Sequence, residues 1–155
     1  MLKKYKDLII SIAFPLIISF IIALITRGGI NNLDNLTKPS FMPPNMLFGI
    51  VWTILYTLLG ISSYLIKKSY SCYSNTCLLI YYTQLFVNFM WPIIFFSLEL
   101  RLFAFIWILL LDLLVIYMIW CFYGIKKEAA YILIPYVLWL IFATFLNYNF
   151  YVLNR

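Results

Sequence analysis

Gln84, Asn88, Trp91 and Phe95 follow one another at steps of four, three and four, which puts two amides, an indole and a phenyl ring on one face of a helix. Groups so aligned can hydrogen-bond the polar edge of a ligand. They can equally bond a neighbouring helix, where such a bond averages about 0.6 kcal/mol in a membrane. Phe48, Trp52, Tyr56 and Leu59 repeat the spacing, as do Trp139, Ala143, Asn147 and Phe150. Three aromatic-and-amide faces on separate helices could enclose a flat apolar ligand, because small-molecule sites are mostly apolar walls with sparse polar groups. Simple packing is the alternative. Asp112 is the only acidic residue deep in an apolar stretch. A lipid-facing carboxylate there would cost on the order of 3 kcal/mol, so it is expected to face a bundle interior, protonated or hydrogen-bonded. Either an interhelical bond or a ligand or proton role would account for it. The chain has no histidine and no CxxC, so zinc and His-ligated haem sites are not expected, nor is any other metal site. No catalytic residue is assigned.

These residues need helices in a bilayer to hold them. Of the 155 residues 66% are hydrophobic and only 10% charged, against roughly 45–50% and about 25% in a soluble domain. A chain this short cannot hide so much apolar surface inside itself, and the surplus must face lipid. The apolar residues form near-continuous runs rather than the alternation of a membrane β-strand, and the runs match the roughly 20 residues that span about 30 Å of hydrocarbon. The expected fold is therefore all-α, an integral membrane bundle of five transmembrane helices at approximately 8–26, 45–66, 77–98, 102–123 and 129–153, forming one domain over 1–155. Pro135 is expected to kink the start of the fifth. The first span has a basic start, but it is longer than a signal-peptide core and lacks a small-x-small cleavage site, so it is expected to be retained. Residues 27–44 are too polar and too rich in turn residues to span, and form either a functional lid or a connector.

The net charge of +6 does not mark a nucleic-acid partner, because the cations sit singly or in pairs at helix ends. Lys3, Lys4, Lys6, Lys67, Lys68, Lys126 and Lys127 share one side; Arg27, Lys38, Arg101 and Arg155 share the other. This asymmetry predicts a cytoplasmic N-terminus and an external C-terminus. Cys72 and Cys77 then fall at the cytoplasmic side, where thiols are expected to stay reduced. Gly49, Thr53 and Thr57 form a small-residue line that could bring helices together within the bundle or between two copies.

Several of these stretches resemble the TspO/MBR family of translocator and tryptophan-rich sensory proteins, also called peripheral-type benzodiazepine receptors. Leu36-Thr37-Lys38-Pro39-Ser40-Phe41 with Pro43-Pro44, then Phe48, Val51-Trp52-Thr53 and Leu55-Tyr56, are similar to its first loop and second helix. Gln84-Leu85, Asn88, Trp91 and Phe95-Phe96 resemble its third helix. Pro135-Tyr136, Trp139, Phe142-Ala143 and Leu146-Asn147 resemble its fifth. The resemblance implies five transmembrane helices, a bacterial inner-membrane location, and a pocket covered by the loop residues Lys38, Pro39, Phe41, Pro43 and Pro44. It implies porphyrin or haem as ligand, with no required cofactor, and isoquinoline carboxamide or benzodiazepine-type ligands in the same place. Trp52, Gln84, Asn88, Trp91, Phe95, Trp139, Ala143 and Asn147 are the implied pocket residues, the aromatics stacking on the ligand and the amides binding its edge. The implied role is sensor, carrier or regulator, with light-dependent porphyrin breakdown or transport as alternatives; membrane lipid and a second copy of the chain are the implied partners. The family's loop often carries tryptophan where this chain has Phe41 and Asn32, which argues against radical chemistry through the loop. The Ile-, Asn- and Lys-rich composition suggests an AT-rich bacterium, in which cholesterol is not an expected ligand.

Overall fold

A computed structural model describes residues 2–155. Five of its helical segments are long and apolar enough to cross a membrane, and no strand occurs among the described residues. Helix α1 (Leu2–Asn31) is followed by a 3-10 turn (Asn32–Asn35), α2 (Asn45–Lys67), α3 (Ser74–Pro92), a π-helical turn (Ile93–Ser97), α4 (Arg101–Ile125), a short α5 (Lys127–Tyr131) and α6 (Ile134–Leu153). Intra-segment hydrogen bonding is the solution a bilayer imposes on the backbone.

The first helix is longer than the sequence pattern suggests. Residues 27–31, expected in the loop, continue α1 for another turn. Pro15 lies inside α1 and has no N–H for the Ser11 carbonyl. At that turn α2 crosses closest: a Cβ on Gly60 would lie 2.5 Å from Ile12 Cα and 2.6 Å from the Ser11 oxygen. Only glycine lets the two backbones approach so closely. At its other end α1 is seated by Gly29, where a Cβ would collide with the Phe96 carbonyl. On the basic side, Lys68 Nζ meets Asp7 Oδ2 at 3.2 Å, and this hydrogen-bonded carboxylate raises the pKa of the ammonium above its ordinary value.

The third span is α3 plus the π turn. Pro92 cannot bond the Asn88 carbonyl, and within the turn Leu98 N–H reaches the Ile93 carbonyl at 3.0 Å, an i→i+5 bond. Trp107 Nε1 donates to the Val87 carbonyl at 2.8 Å and ties α4 to this region. The fifth span is broken, because α5 ends at Tyr131 and α6 restarts at Ile134 with Pro135 in its first turn, where a missing N–H is tolerated.

Two expectations are corrected. Cys77 and Cys121 are not thiols but a disulfide, their Cα atoms 5.8 Å apart. The first turn of α3 and the last turns of α4 are antiparallel neighbours, a pairing invisible when each cysteine is read alone. Cys72 is free and exposed. Asp112 makes the interhelical hydrogen bond that was one of its two expected roles, but from the seam between α4 and α6 and not from the cavity-facing stripe. The buried stripe of α4 runs Ala104, Ile108, Leu111, Val115, Met118 and Phe122, and Asp112 sits one position off it, half-buried in the α4–α6 seam. There Thr144 Oγ1 donates to its Oδ2 at 2.8 Å.

Candidate functional site

The helices surround a cavity of about 570 Å3. Leu16, Ser19, Ala23, Thr26 and Ile30 of α1 form one wall; Phe48, Trp52 and Tyr56 of α2 form the next. Asn88, Trp91 and Phe95 contribute from α3 and the π turn, and Trp139, Ala143 and Asn147 from α6. The three helical faces read from the sequence thus converge on one space. Trp52 stacks on Tyr56 with centroids 5.4 Å apart, Trp91 stacks on Phe95 at 5.1 Å, and Phe48 meets Trp139 edge-on at 5.6 Å. These rings hold one another in place and present preformed flat surfaces.

Gln84 departs from its expected place on the wall. It lies one turn below Asn88 and is fully buried in a hydrogen-bond chain that floors the cavity. Tyr56 Oη donates to Asn88 Oδ1 at 2.6 Å, Asn88 Nδ2 donates to Tyr136 Oη at 2.8 Å, and Tyr136 Oη donates to Gln84 Oε1 at 2.9 Å. The amides of α3 are therefore mostly engaged between helices. Asn88 alone borders the cavity as well.

Other polar groups in the wall have no protein partner. Asn147 is 2% exposed, and neither its Oδ1 nor its Nδ2 is hydrogen-bonded; the Trp91 and Trp139 indole N–H groups are buried and unpaired too. Leaving a buried donor or acceptor unpaired costs about 1–3 kcal/mol each, so this wall is suited to a guest that supplies the missing partners. Two unpaired indole donors and the unpaired Asn147 amide, in a chamber that is mostly apolar, suit a flat body with a few polar edges.

The loop closes one end through residues other than those expected. Leu33 and Met42 reach the cavity, whereas Lys38, Pro39, Phe41, Pro43 and Pro44 do not. Phe41 packs outward against α6, stacked on Phe145 at 5.2 Å and edge-on to Phe142 at 6.3 Å. The Asn154 side chain clamps the loop to the end of α6, accepting from Thr37 N–H at 2.9 Å and donating to the Thr37 carbonyl at 3.0 Å. Asp112 is absent from the cavity wall, as its seam position requires. No cysteine borders the cavity either. Among the described residues no cluster of His, Cys, Asp or Glu could hold a metal ion.

The α1 wall was missed by sequence reasoning. Its inner face carries only two small hydroxyls, Ser19 and Thr26, which bond carbonyls of their own helix, so it lacks the amide or indole that marks the other faces. Tyr136 was quoted only within a motif; a buried tyrosine hydroxyl four residues from nothing polar gives no sequence signal.

Over residues 11–153 the chain matches the TspO/MBR family. It is 41% identical over 117 residues to a tryptophan-rich protein TspO of Archaeoglobus fulgidus, covering 76% of each chain. It is 34% identical over 123 residues to the human translocator protein, covering 77% of this chain and 73% of that one. With the tryptophan-rich sensory protein of Cereibacter sphaeroides it shares 31% over 121 residues, 78% of this chain and 75% of the other. A five-span helical membrane protein with this match along nearly its whole length belongs to the TspO/MBR family.

Proposed function

We propose that this protein binds porphyrin- or haem-type tetrapyrroles in its intramembrane cavity and acts as a sensor, carrier or regulator of them. The observation that carries this reading is Asn147, buried with both polar atoms unpaired in the wall of an aromatic chamber. The tryptophan surfaces stack on the macrocycle, while Asn147 and the Trp91 and Trp139 N–H groups take its polar edges. With no histidine or cysteine in the wall, the grip falls mainly on the ring. Isoquinoline carboxamide and benzodiazepine-type ligands share the needed shape, a flat apolar body with an acceptor edge. Family membership supports the same ligand class.

Titration of the purified protein with protoporphyrin IX, read by tryptophan quenching, tests this. Asn147→Leu is expected to weaken binding about tenfold, equivalent to about 1.4 kcal/mol, which is within the range for one unpaired buried group. Unchanged affinity in both Asn147→Leu and Trp139→Ala would sink the assignment. Porphyrin breakdown in light is disfavoured by Phe41, which lies outside the cavity against α6. Loss of porphyrin absorbance in light beyond that of free porphyrin in the same detergent would reinstate it.

We also place the chain in a cell inner membrane with its N-terminus cytoplasmic. The support is the lysine excess at the end of the bundle that holds Lys67, Lys68, Lys126 and Lys127; it is set above the Cys77–Cys121 disulfide, which lies at the same end and by itself favours an oxidising compartment. A reporter fused to the C-terminus should be active only outside the cytoplasm.

A further inference from the structure

We infer that ligands reach the cavity sideways from the bilayer, between the loop-side halves of α1 and α2, and that Gly49 and Ala23 form the threshold deciding which ligands pass. The inference rests on the tetrapyrrole reading for its probe, but the opening is a feature of the walls.

The two ends of the cavity are closed. At the loop end, Asn154 clamps both the N–H and the carbonyl of Thr37, and Phe41 is stacked on Phe145. At the opposite end the Tyr56–Asn88–Tyr136 hydrogen bonds cross the bundle. Just beyond them Gly60 seals α2 against the Ser11–Ile12 backbone of α1.

The α1–α2 side differs. Phe20, Ala23, Gly49 and Thr53 border the cavity and are exposed on the outer surface, Phe20 by 65%. Residues that are at once cavity wall and outer surface mark an opening. A Cβ on Gly49 would meet nothing within 4 Å, so that position borders open space.

The rim suits passage from hydrocarbon. Its hydroxyls are satisfied inside their own helices: Thr53 Oγ1 donates to the Gly49 carbonyl and Ser19 Oγ to the Leu16 carbonyl, each at 2.8 Å. Such back-bonding leaves the rim presenting carbon to lipid. Inside waits the unpaired Asn147 amide, 2% exposed. The ligand class this admits is flat, membrane-partitioning and edge-polar, passing edge-first between Ala23 and Gly49.

The test uses the full chain in lipid vesicles, with protoporphyrin IX as probe and stopped-flow tryptophan quenching as readout. Gly49→Phe and, separately, Ala23→Phe should slow both association and dissociation, each by tenfold or more. Loss of a wall contact would instead speed dissociation. Rates matching the parent in both variants, or faster association in Asn154→Ala, which frees the loop end, would overturn the inference. A second measurement needs no ligand: acyl-brominated lipids quench tryptophans they touch. Gly49→Phe should reduce that quenching by shielding Trp52 and its neighbours, while the exposed Trp120 stays quenched. Equal quenching in parent and variant counts against the opening whether or not porphyrin binds, whereas absence of porphyrin binding by the parent counts against the proposed function alone.

Discussion

Tyr136→Phe removes one oxygen atom and no packing volume, so its effect isolates the hydrogen bonds beneath the cavity. Tyr136 is fully buried, and its hydroxyl both accepts from Asn88 Nδ2 and donates to Gln84 Oε1. Two magnitudes compete. Hydrogen bonds between membrane helices average about 0.6 kcal/mol, so two would amount to roughly 1.2 kcal/mol. A buried group left with no partner costs about 1–3 kcal/mol. The position of each partner decides between them. Asn88 borders the cavity and can find water or ligand, so its loss stays near the lower figure. Gln84 does not border it, and its Nε2 is already unpaired, so losing the Oε1 bond strips its amide of every partner. The expected total is about 2–3 kcal/mol. Tyr56→Phe should cost less, about 1 kcal/mol, because it deprives only the cavity-facing Asn88. Ligand-free thermal unfolding in detergent gives the order. Gln84→Leu should recover stability in the Tyr136→Phe background while destabilising the parent chain. Equal costs for the two tyrosine variants, or no recovery in the double variant, would refute the reasoning.

Gly60→Ala should destabilise by about 1–2 kcal/mol, since the methyl group is driven into the Ser11–Ile12 backbone and this outweighs alanine's better helix propensity; thermal unfolding measures it. Tyr70 is held at φ 52°, a left-handed conformation that a bulky side chain adopts at a cost and asparagine tolerates. Tyr70→Asn should therefore raise stability by about 0.5–1 kcal/mol, visible as a higher unfolding temperature. Cys121→Ser opens a cross-link spanning 44 residues and should cost about 2 kcal/mol, with reductant lowering the parent's unfolding temperature but not the variant's.

The number and type of the spans were legible because lipid demands long apolar runs, and nothing in the packing can hide that demand. The inner faces of α2, α3 and α6 were legible where an amide or indole broke the apolar background. That contrast is what Asn88, Trp91 and Asn147 share. Where the contrast is only a small hydroxyl, as with Ser19 and Thr26 on α1, the same helical spacing is easily passed over. Gln84 and Asp112 bond neighbouring helices, as the packing alternative had it, and their exact placement was not legible for a different reason. A face is about 100° wide, and one turn of depth or one residue of rotation separates a wall from a floor or a seam. Sequence spacing does not carry that resolution. The Cys77–Cys121 bond and the Asn154 clamp on Thr37 join residues 44 and 117 positions apart. Both depend on how helices are placed in three dimensions.

The π turn at Ile93–Ser97 acts as a phase shifter. Upstream, α3 keeps Asn88 and Trp91 in register with the chamber, and Phe95 and Phe96 of the wider turn border it too. The extra residue in the turn rotates everything downstream by about 100° relative to a regular helix. Deleting a single residue from the turn would thus leave the membrane span almost as long while turning the segment that follows by about 100° against the chamber. The shape of the chamber can in this way change through a one-codon deletion without any substitution in its wall.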